Sequence, residues 1–371
     1  MAKKSIDIEE LVLFSENKFT GDRDIMTKNN NIGLDRIRLV ASDVDMAVDT
    51  SRIRGIQKGE GAMVFDIATG EAVGIATINL NINGIGLGEG DNSAIQVKSS
   101  NFDKNSFVIS VNCAKLLYNS NERNVTKDKV ELVGRIVEKK LAEYGLYVDV
   151  STLKISSIEV NYNVDDVKLY DTLEMITKAS LKDGQKVLQA VTKDGIQSLK
   201  VNKGRYELKI YKKSEQLKET GNITDTDNLV RFEISTSHSQ ELDKLIPSRS
   251  LMDLVNNWDG VEAWYKRCIT NSIKKPIVKY KNEIEERMVA SMDAGKKPSK
   301  AVLELLLEND LMDISIVGSA VKKHYKNTGK KKPSSVINGI NKKLKEANST
   351  RYEKMTGNLE KLEEFFNELG V

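Results

Sequence analysis

Cysteine is nearly absent from this chain. The two in 371 residues, Cys113 and Cys268, lie far apart and form no CxxC pair, so neither a disulfide framework nor a zinc ribbon can be assembled. Histidine is equally scarce: His238 and His324 stand alone, and no motif brings two imidazoles together. Glycine (24) and proline (4) are not enriched and no low-complexity tract occurs, which argues against a largely disordered chain. No run approaches the roughly 20 apolar residues that cross a bilayer. The opening MAKKSIDIEELVLF soon turns acidic and holds no apolar signal core, so the expectation is a cytoplasmic, soluble protein without a secretory signal.

Charge of one sign is missing as well. Lysine and arginine number 57 against 54 acidic residues, a formal net charge of +3, so the whole-chain balance says little about partners. Its distribution says more. Lys322 to Lys345, KKHYKNTGKKKPSSVINGINKKLK, holds nine lysines and no acid, and Lys203 to Glu219 holds six basic residues against three acidic ones. The stretch around Asp43, Asp45 and Asp49 is acidic instead. Local basic patches on a nearly neutral protein suit a polyanion, and a solvated lysine surface has the same appearance.

At 39% hydrophobic residues the chain can bury a core, and its length fits two ordinary domains or one large domain with an appendage. Up to about residue 110 short apolar runs are broken by Gly, Asn and Asp, as in AIQVKSS and SFVISVN, and read as strands. Val130, Leu132, Val133, Ile136, Val137 and Leu141 have helical spacing between a capping Thr126 and a closing Gly145. A second helix is expected over VKLYDTLEMITKASL. Three further segments alternate with period two: LKISSIEVNYNV, RYELKIYKK and NLVRFEIST. The order β…αβαββ predicts an α+β fold, a mainly antiparallel sheet with helices packed on one face. After Pro247 the pattern becomes helical, which divides the chain into an α+β domain (1–250) and a helical, lysine-rich C-terminal region (251–371). The last segment is an amphipathic helix with Leu359, Leu362, Phe365, Phe366 and Leu369 on one side.

Alternation puts Glu159, Asn161 and Asn163, then Lys209 and Tyr211, then Arg231 and Glu233 on the polar faces of the three strands. Paired side by side, these faces would form one exposed surface with Asp165 just beyond. Carboxylates and an amide oxygen, here Glu159, Glu233 and Asn161, are suitable ligands for Mg2+ or Mn2+. Lys209 and Arg231 could hold phosphates. A tyrosine hydroxyl with a base or metal beside it can form a covalent intermediate with phosphorus. An ordinary solvent face alternates in the same way, so pattern alone does not choose.

In these stretches the sequence resembles the filamentous-phage gene II/gene X-type replication proteins. The matching segments are AIQVKSSNFDKN, SSIEVNYNV, LKIYKKSEQLKE, and LVRFEIS followed by LDKLIPSRSLMDLV, covering roughly residues 90 to 260. The IYKK segment before an Arg-Phe-Glu strand is also similar to the tyrosine strand of Gram-positive rolling-circle plasmid initiators. The resemblance implies a rolling-circle initiator in the cytoplasm of a bacterial host. Such a protein nicks one strand of duplex origin DNA, stays attached through a 5′-phosphotyrosine and later rejoins the displaced single strand. It assigns Tyr211 as nucleophile, Lys212 or Lys213 as a catalytic phosphate-binding or transition-state-stabilising group, Glu159 and Glu233 as metal ligands and Arg231 as a phosphate contact.

One departure stands out. Many rolling-circle nickases bind their metal through two histidines flanking an apolar residue. Here metal binding is either carboxylate-based or the site is degenerate. His238 reads as turn-exposed, or else as a lone ligand or base, and His324 as facing DNA or solvent; Tyr206 and Tyr162 alternate into the core, while Tyr265 and Tyr325 sit in basic helical contexts that could touch DNA. Residues 299–345 predict two or three short helices displaying Lys322, Lys323, Lys330, Lys331 and Lys332 to duplex phosphates. The missing histidine pair leaves a second function open, a DNA-binding initiator without catalysis that recruits host helicase or polymerase.

Overall fold

The alternating segments do become strands. In the computed structural model the described residues are 31–42, 46–48, 56–65, 72–83, 93–99, 106–118, 123–165, 172–192, 195–219, 229–308, 314–347 and 357–371. The opening segment and most of the acidic stretch around Asp43 lie outside them.

The strands are β1 (Gly33–Ser42), β2 (Met46–Val48), β3 (Ile56–Phe65), β4 (Ala72–Asn83), β5 (Ser93–Ser99), β6 (Ser106–Asn112), β7 (Leu146–Val148), β8 (Lys154–Asp165), β9 (Lys186–Thr192), β10 (Gly195–Asn202), β11 (Glu207–Lys212) and β12 (Leu229–Thr236). Ten of them form one antiparallel sheet in the order β3-β4-β5-β6-β1-β8-β12-β11-β10-β9, and β2 pairs with β7. The protein is thus α+β, as expected. The three polar-faced strands are central neighbours, β8 beside β12 beside β11. The hairpin of β9 and β10 was not anticipated. KVLQAVT has no clean alternation, and its Leu188 and Val191 are exposed at the sheet edge, so the apolar pattern gave no single face to read.

The helices are α1 (Cys113–Tyr118), α2 (Lys127–Glu143), α3 (Leu173–Lys182), α4 (Lys213–Glu219), α5 (Ser239–Leu245), α6 (Leu251–Asn256), α7 (Trp258–Ile269), α8 (Lys275–Asp293), α9 (Pro298–Glu308), α10 (Ser315–Asn327), α11 (Pro333–Ala347) and α12 (Asn358–Leu369), with a π-helical turn at Thr270–Lys274 joining α7 to α8. Thr126 does precede α2, but its hydroxyl accepts from no backbone N–H of the first turn and donates instead to the Asp128 carboxylate of that turn at 2.6 Å. Gly145 follows α2 in the left-handed region (φ 77°), which favours glycine.

The apolar strand face carries Ile158, Val160 and Tyr162 of β8 and Phe232 and Ile234 of β12, all buried. Helices of the C-terminal region close over it. Phe365 of α12 stacks on Phe232 with centroids 4.5 Å apart and meets Tyr162 edge-on at 6.2 Å. Tyr265 of α7 is fully buried and its hydroxyl donates to the Phe232 carbonyl at 2.9 Å, which corrects the expectation that it faces DNA. His324 is corrected likewise: it is 2% exposed and its Nδ1 lies 2.5 Å from Asp293 Oδ1. Sheet and C-terminal helices share one continuous hydrophobic core from Ile32 to Leu369.

Because Phe365 is buried against two aromatic rings, Phe365→Ala should cost about 3–5 kcal/mol through lost contacts and the cavity left behind. Urea unfolding checks this; a loss under about 1 kcal/mol would mean that α12 is not docked as described.

Candidate active site

The register across β11, β12 and β8 sets the polar face. Glu233 lies between Lys209 and Asn161, and Arg231 lies between Tyr211 and Asn163. Glu159 stands opposite Ser235 on one side and Arg36 on the other. Facing side chains in such pairs have Cβ atoms roughly 4.5–5.5 Å apart. The seven residues singled out in the sequence are therefore brought onto one face, as alternation predicts.

Their exposure is different from the expectation. Arg231 is 0% exposed, Glu233 5% and Tyr211 6%, and Asn161 and Asn163 are buried too. Two elements do the covering. Helix α4 brings the buried Lys213, whose Nζ lies 5.6 Å from the Tyr211 ring centre, and Gln216 at the rim. On the opposite flank the segment 123–126 closes in: Leu34 N donates to Val125 O at 2.8 Å, and Asn163 Nδ2 donates to Asn124 Oδ1 at 2.9 Å. Gly33 permits that approach, since a Cβ there would meet Asn124 Cβ at 2.5 Å.

Sequence reasoning missed one residue, Asp35. Leu34 pairs with Val160 and Arg36 with the very next residue, Glu159, so Asp35 is the extra residue of a β-bulge. A bulge re-aims a side chain, and this one sends a carboxylate into the polar cluster. Oxygens of Asp35, Glu159 and Glu233 lie within 4.8 Å of one another. Strict alternation along GLDRIRL gives no hint of it; only a lone acid in an apolar strand could have raised the question.

Arg231 organises the group. Its Nε donates to Asn163 Oδ1 at 2.8 Å and its terminal nitrogen to Asp35 Oδ1 at 3.0 Å, with Glu233 Oε1 at 4.0 Å. It is spent on these partners and is not an accessible phosphate contact, a correction to the expected role. Tyr211 donates its hydroxyl proton to Glu233 Oε1. Lys209 is an accessible cation: its Nζ lies 3.8 Å from Glu233 Oε2 and 4.3 Å from the Tyr211 ring centre, with 42% of the side chain exposed. Lys212 projects from the other strand face and pairs with Glu215 at 2.9 Å. Lys322, Lys323, Lys330, Lys331 and Lys332 are exposed on α10 and the turn after it and do not line the cleft. His238 stands just after β12 as the residue preceding α5, outside the carboxylate cluster.

Electrostatics follow from burial. Burial, then the Glu233 and Asp35 charges, push the Glu159 carboxyl up to about 8. Burial and Glu233 raise Asp35 also, against the pull of Arg231. Burial acts on Glu233 in the same sense, but Arg231, Lys209 and the Tyr211 hydrogen bond together outweigh it and hold Glu233 low. Tyr211 is held well above its ordinary value by burial and then by Glu233. Burial, then Arg231, brings Lys213 down to about 7.

A cleft of about 310 Å3 opens over this cluster, lined by Asp35, Glu159, Glu233, Tyr211, Lys209 and Lys200 among others. The donors fit a hard divalent cation. All are oxygens, three carboxyl groups converge, and the amide oxygen of buried Asn161 has no hydrogen-bond partner among the described residues while its nitrogen donates to Asp35 at 3.2 Å. Asp35, Glu159 and Glu233 could hold such a cation; Asn161, expected as a further ligand, donates to Asp35 beside them and does not line the cleft.

No family model matches the chain, and no curated protein matches it in sequence. Among solved structures it is similar to one titled as a rolling circle replication initiator protein from Geobacillus stearothermophilus, at 13% identity over 56% of this chain and 74% of that one. The TM-score is 0.23, too low to support any conclusion about fold or function. What the site can do follows from its own residues.

A pH dependence follows from Glu159. In the fold it keeps a proton that the unfolded chain releases above its ordinary value of 4.5, so stability falls as pH rises between the two values. Asp35, raised as well, acts in the same sense as Glu159, Lys213 acts in the opposite sense above about 7, and Glu233 acts only below its ordinary range, so the fall is read between about pH 5 and 7. Protein kept in chelator should lose melting temperature across that window, and Glu159→Gln should flatten the loss. Added Mn2+ should raise the melting temperature more at the upper end than the lower. A chelated wild type equally stable at both ends would contradict this electrostatic picture.

Proposed function

We propose that this protein is a metal-dependent DNA nickase and strand transferase that initiates rolling-circle replication, with Tyr211 as the nucleophile. One observation carries the reading: the Tyr211 hydroxyl donates directly to Glu233, which belongs to a cluster of three carboxylates lining an open cleft. A tyrosine bonded to a carboxylate within a cation site is what phosphotyrosine chemistry requires.

Tyr211 Oη attacks the scissile phosphorus as its proton passes to Glu233. An Oη–P bond forms and the P–O3′ bond breaks, leaving a 5′-phosphotyrosine and a free 3′ hydroxyl. Lys213, brought down to about 7 by burial and then by Arg231, can hold the proton that the departing 3′ oxygen takes up. Resealing reverses these bonds with the 3′ hydroxyl as attacker. Lys209, half-exposed beside Tyr211, holds the neighbouring phosphate. Arg231 fixes Asp35 and Asn163 and so positions the cluster without touching substrate. A bound Mg2+ or Mn2+ supplies neutralisation of the phosphate and eases loss of the phenolic proton. The exposed lysines of α10 and the following turn contact duplex phosphates, and the α+β part with its helical C-terminal buttress acts as one machine on origin DNA.

The raised pKa and 6% exposure of Tyr211 favour one rival, an initiator that binds DNA without cutting it and recruits host helicase or polymerase. The two separate in a covalent-adduct assay with Mn2+ and supercoiled or single-stranded DNA of the parent replicon, resolved under denaturing conditions. The wild type should form a protein–DNA adduct that chelator abolishes. Tyr211→Phe should lose it completely while binding DNA normally, since only the hydroxyl is gone. An adduct retained by Tyr211→Phe removes this tyrosine from the reaction, and binding without any adduct supports the rival.

A further inference from the structure

Helices α10 (Ser315–Asn327) and α11 (Pro333–Ala347) are joined by the five residues 328–332. Gly329 and Lys332 both take left-handed backbone there, with φ of 66° each, so the helix is broken and the chain turns between them. Ile316, Val317, Ala320, Val321 and His324 of α10 are buried, as is Ile340 of α11, with Val336, Ile337 and Leu344 packed against the same core. This fixes which side of α11 faces outward. Ser334, Ser335, Asn338, Lys342 and Lys345 are exposed along it.

The order of chemistry along that face is specific. The turn presents the exposed Lys330, Lys331 and Lys332; then come uncharged hydrogen-bonding side chains; then lysines again. Among the described residues Lys323 pairs with Glu285 at 3.9 Å and Lys342 with Glu346 at 3.8 Å, both at the borders of the patch. No acid interrupts it between Lys322 and Lys345. A solvated lysine face or a sequence-blind phosphate grip needs cations only. Serine and asparagine set between two lysine groups are what a base-reading helix needs, since asparagine recognises adenine edges in the major groove and lysines anchor the flanking phosphates. The placement matches helix-turn-helix readers, whose second helix uses its early residues on bases.

We propose that α10, the turn and α11 form a duplex-DNA reading module, with α11 in the major groove and Ser335 and Asn338 reading base edges. The inference rests on the reading of the protein as a replication initiator and adds how an origin is selected: here, apart from the cleft that cuts. The partner is duplex DNA of a particular sequence, and the lysines on either side set its register.

The test uses the full chain and a randomised duplex library. Wild-type protein should enrich a sequence family, and the enriched duplex should then be compared with a scrambled one by anisotropy over a salt series. Ser335→Ala/Asn338→Ala should lose the preference, on the order of tenfold for each base contact removed, with an unchanged salt slope. Lys330→Ala/Lys331→Ala/Lys332→Ala should weaken both duplexes alike and flatten the slope by about 0.9 per lost phosphate contact. Every substituted residue is exposed, and circular dichroism confirms that the fold is kept. No enrichment by wild type, or full preference retained by the double variant, overturns the proposal. The adduct assay on a single-stranded oligonucleotide keeps the two readings apart. It should be unaffected by the double variant, and an absence of adduct in the wild type would count against cutting while leaving sequence reading to stand on the library result.

Discussion

A guanidinium removed from water has to be neutralised from inside the protein, and Arg231 is wholly buried in the middle of a β-sheet. Desolvation of such a charge costs several kcal/mol unless excellent geometry repays it. Here repayment comes from three strands and a loop at once: Asp35 from the β1 bulge, Asn163 from β8, Glu233 from its own strand, and Asn124 behind Asn163. The bulge, the close approach at Gly33 and the register of β8 against β12 are all conditions for that one cation to be satisfied. The same conditions assemble the cleft. With Arg231 in place three acids converge within 4.8 Å.

Convergence leaves the acids unequal. Arg231 and Lys209 hold the Glu233 carboxyl low, where it accepts the Tyr211 hydroxyl hydrogen bond, while burial, then Glu233 and Asp35, push Glu159 up to about 8. Groups whose environments drive their proton affinities apart are a common mark of chemistry, and structural ion networks can show it too. The open cleft and the tyrosine within hydrogen-bond reach are what distinguish this cluster from a core salt bridge.

Much of this was legible in the sequence, and the reason is the period-two rule. Glu159, Asn161, Asn163, Lys209, Tyr211, Arg231 and Glu233 alternate against apolar residues in three segments, so their common face could be deduced before any coordinates. Four things could not be. Asp35 reaches the face only through a bulge, an irregularity that alternation cannot express. Burial of the polar face depends on α4 and residues 123–126 folding over it, tertiary packing that leaves no local pattern. Tyr265 and His324 looked basic and exposed because their lysine neighbours point outward, while their own side chains turn to the core and to Asp293. The β9 edge strand, with Leu188 and Val191 in solvent, offered no pattern to read.

The central claim is that one identified phenol becomes bonded to phosphorus, and mass spectrometry reads this directly. Protein reacted with Mn2+ and replicon DNA would be nuclease-trimmed and digested to peptides. The account predicts a residual nucleotide on the peptide containing Tyr211, absent when chelator is present. A nucleotide on a different tyrosine, or none where cleavage has occurred, would contradict it.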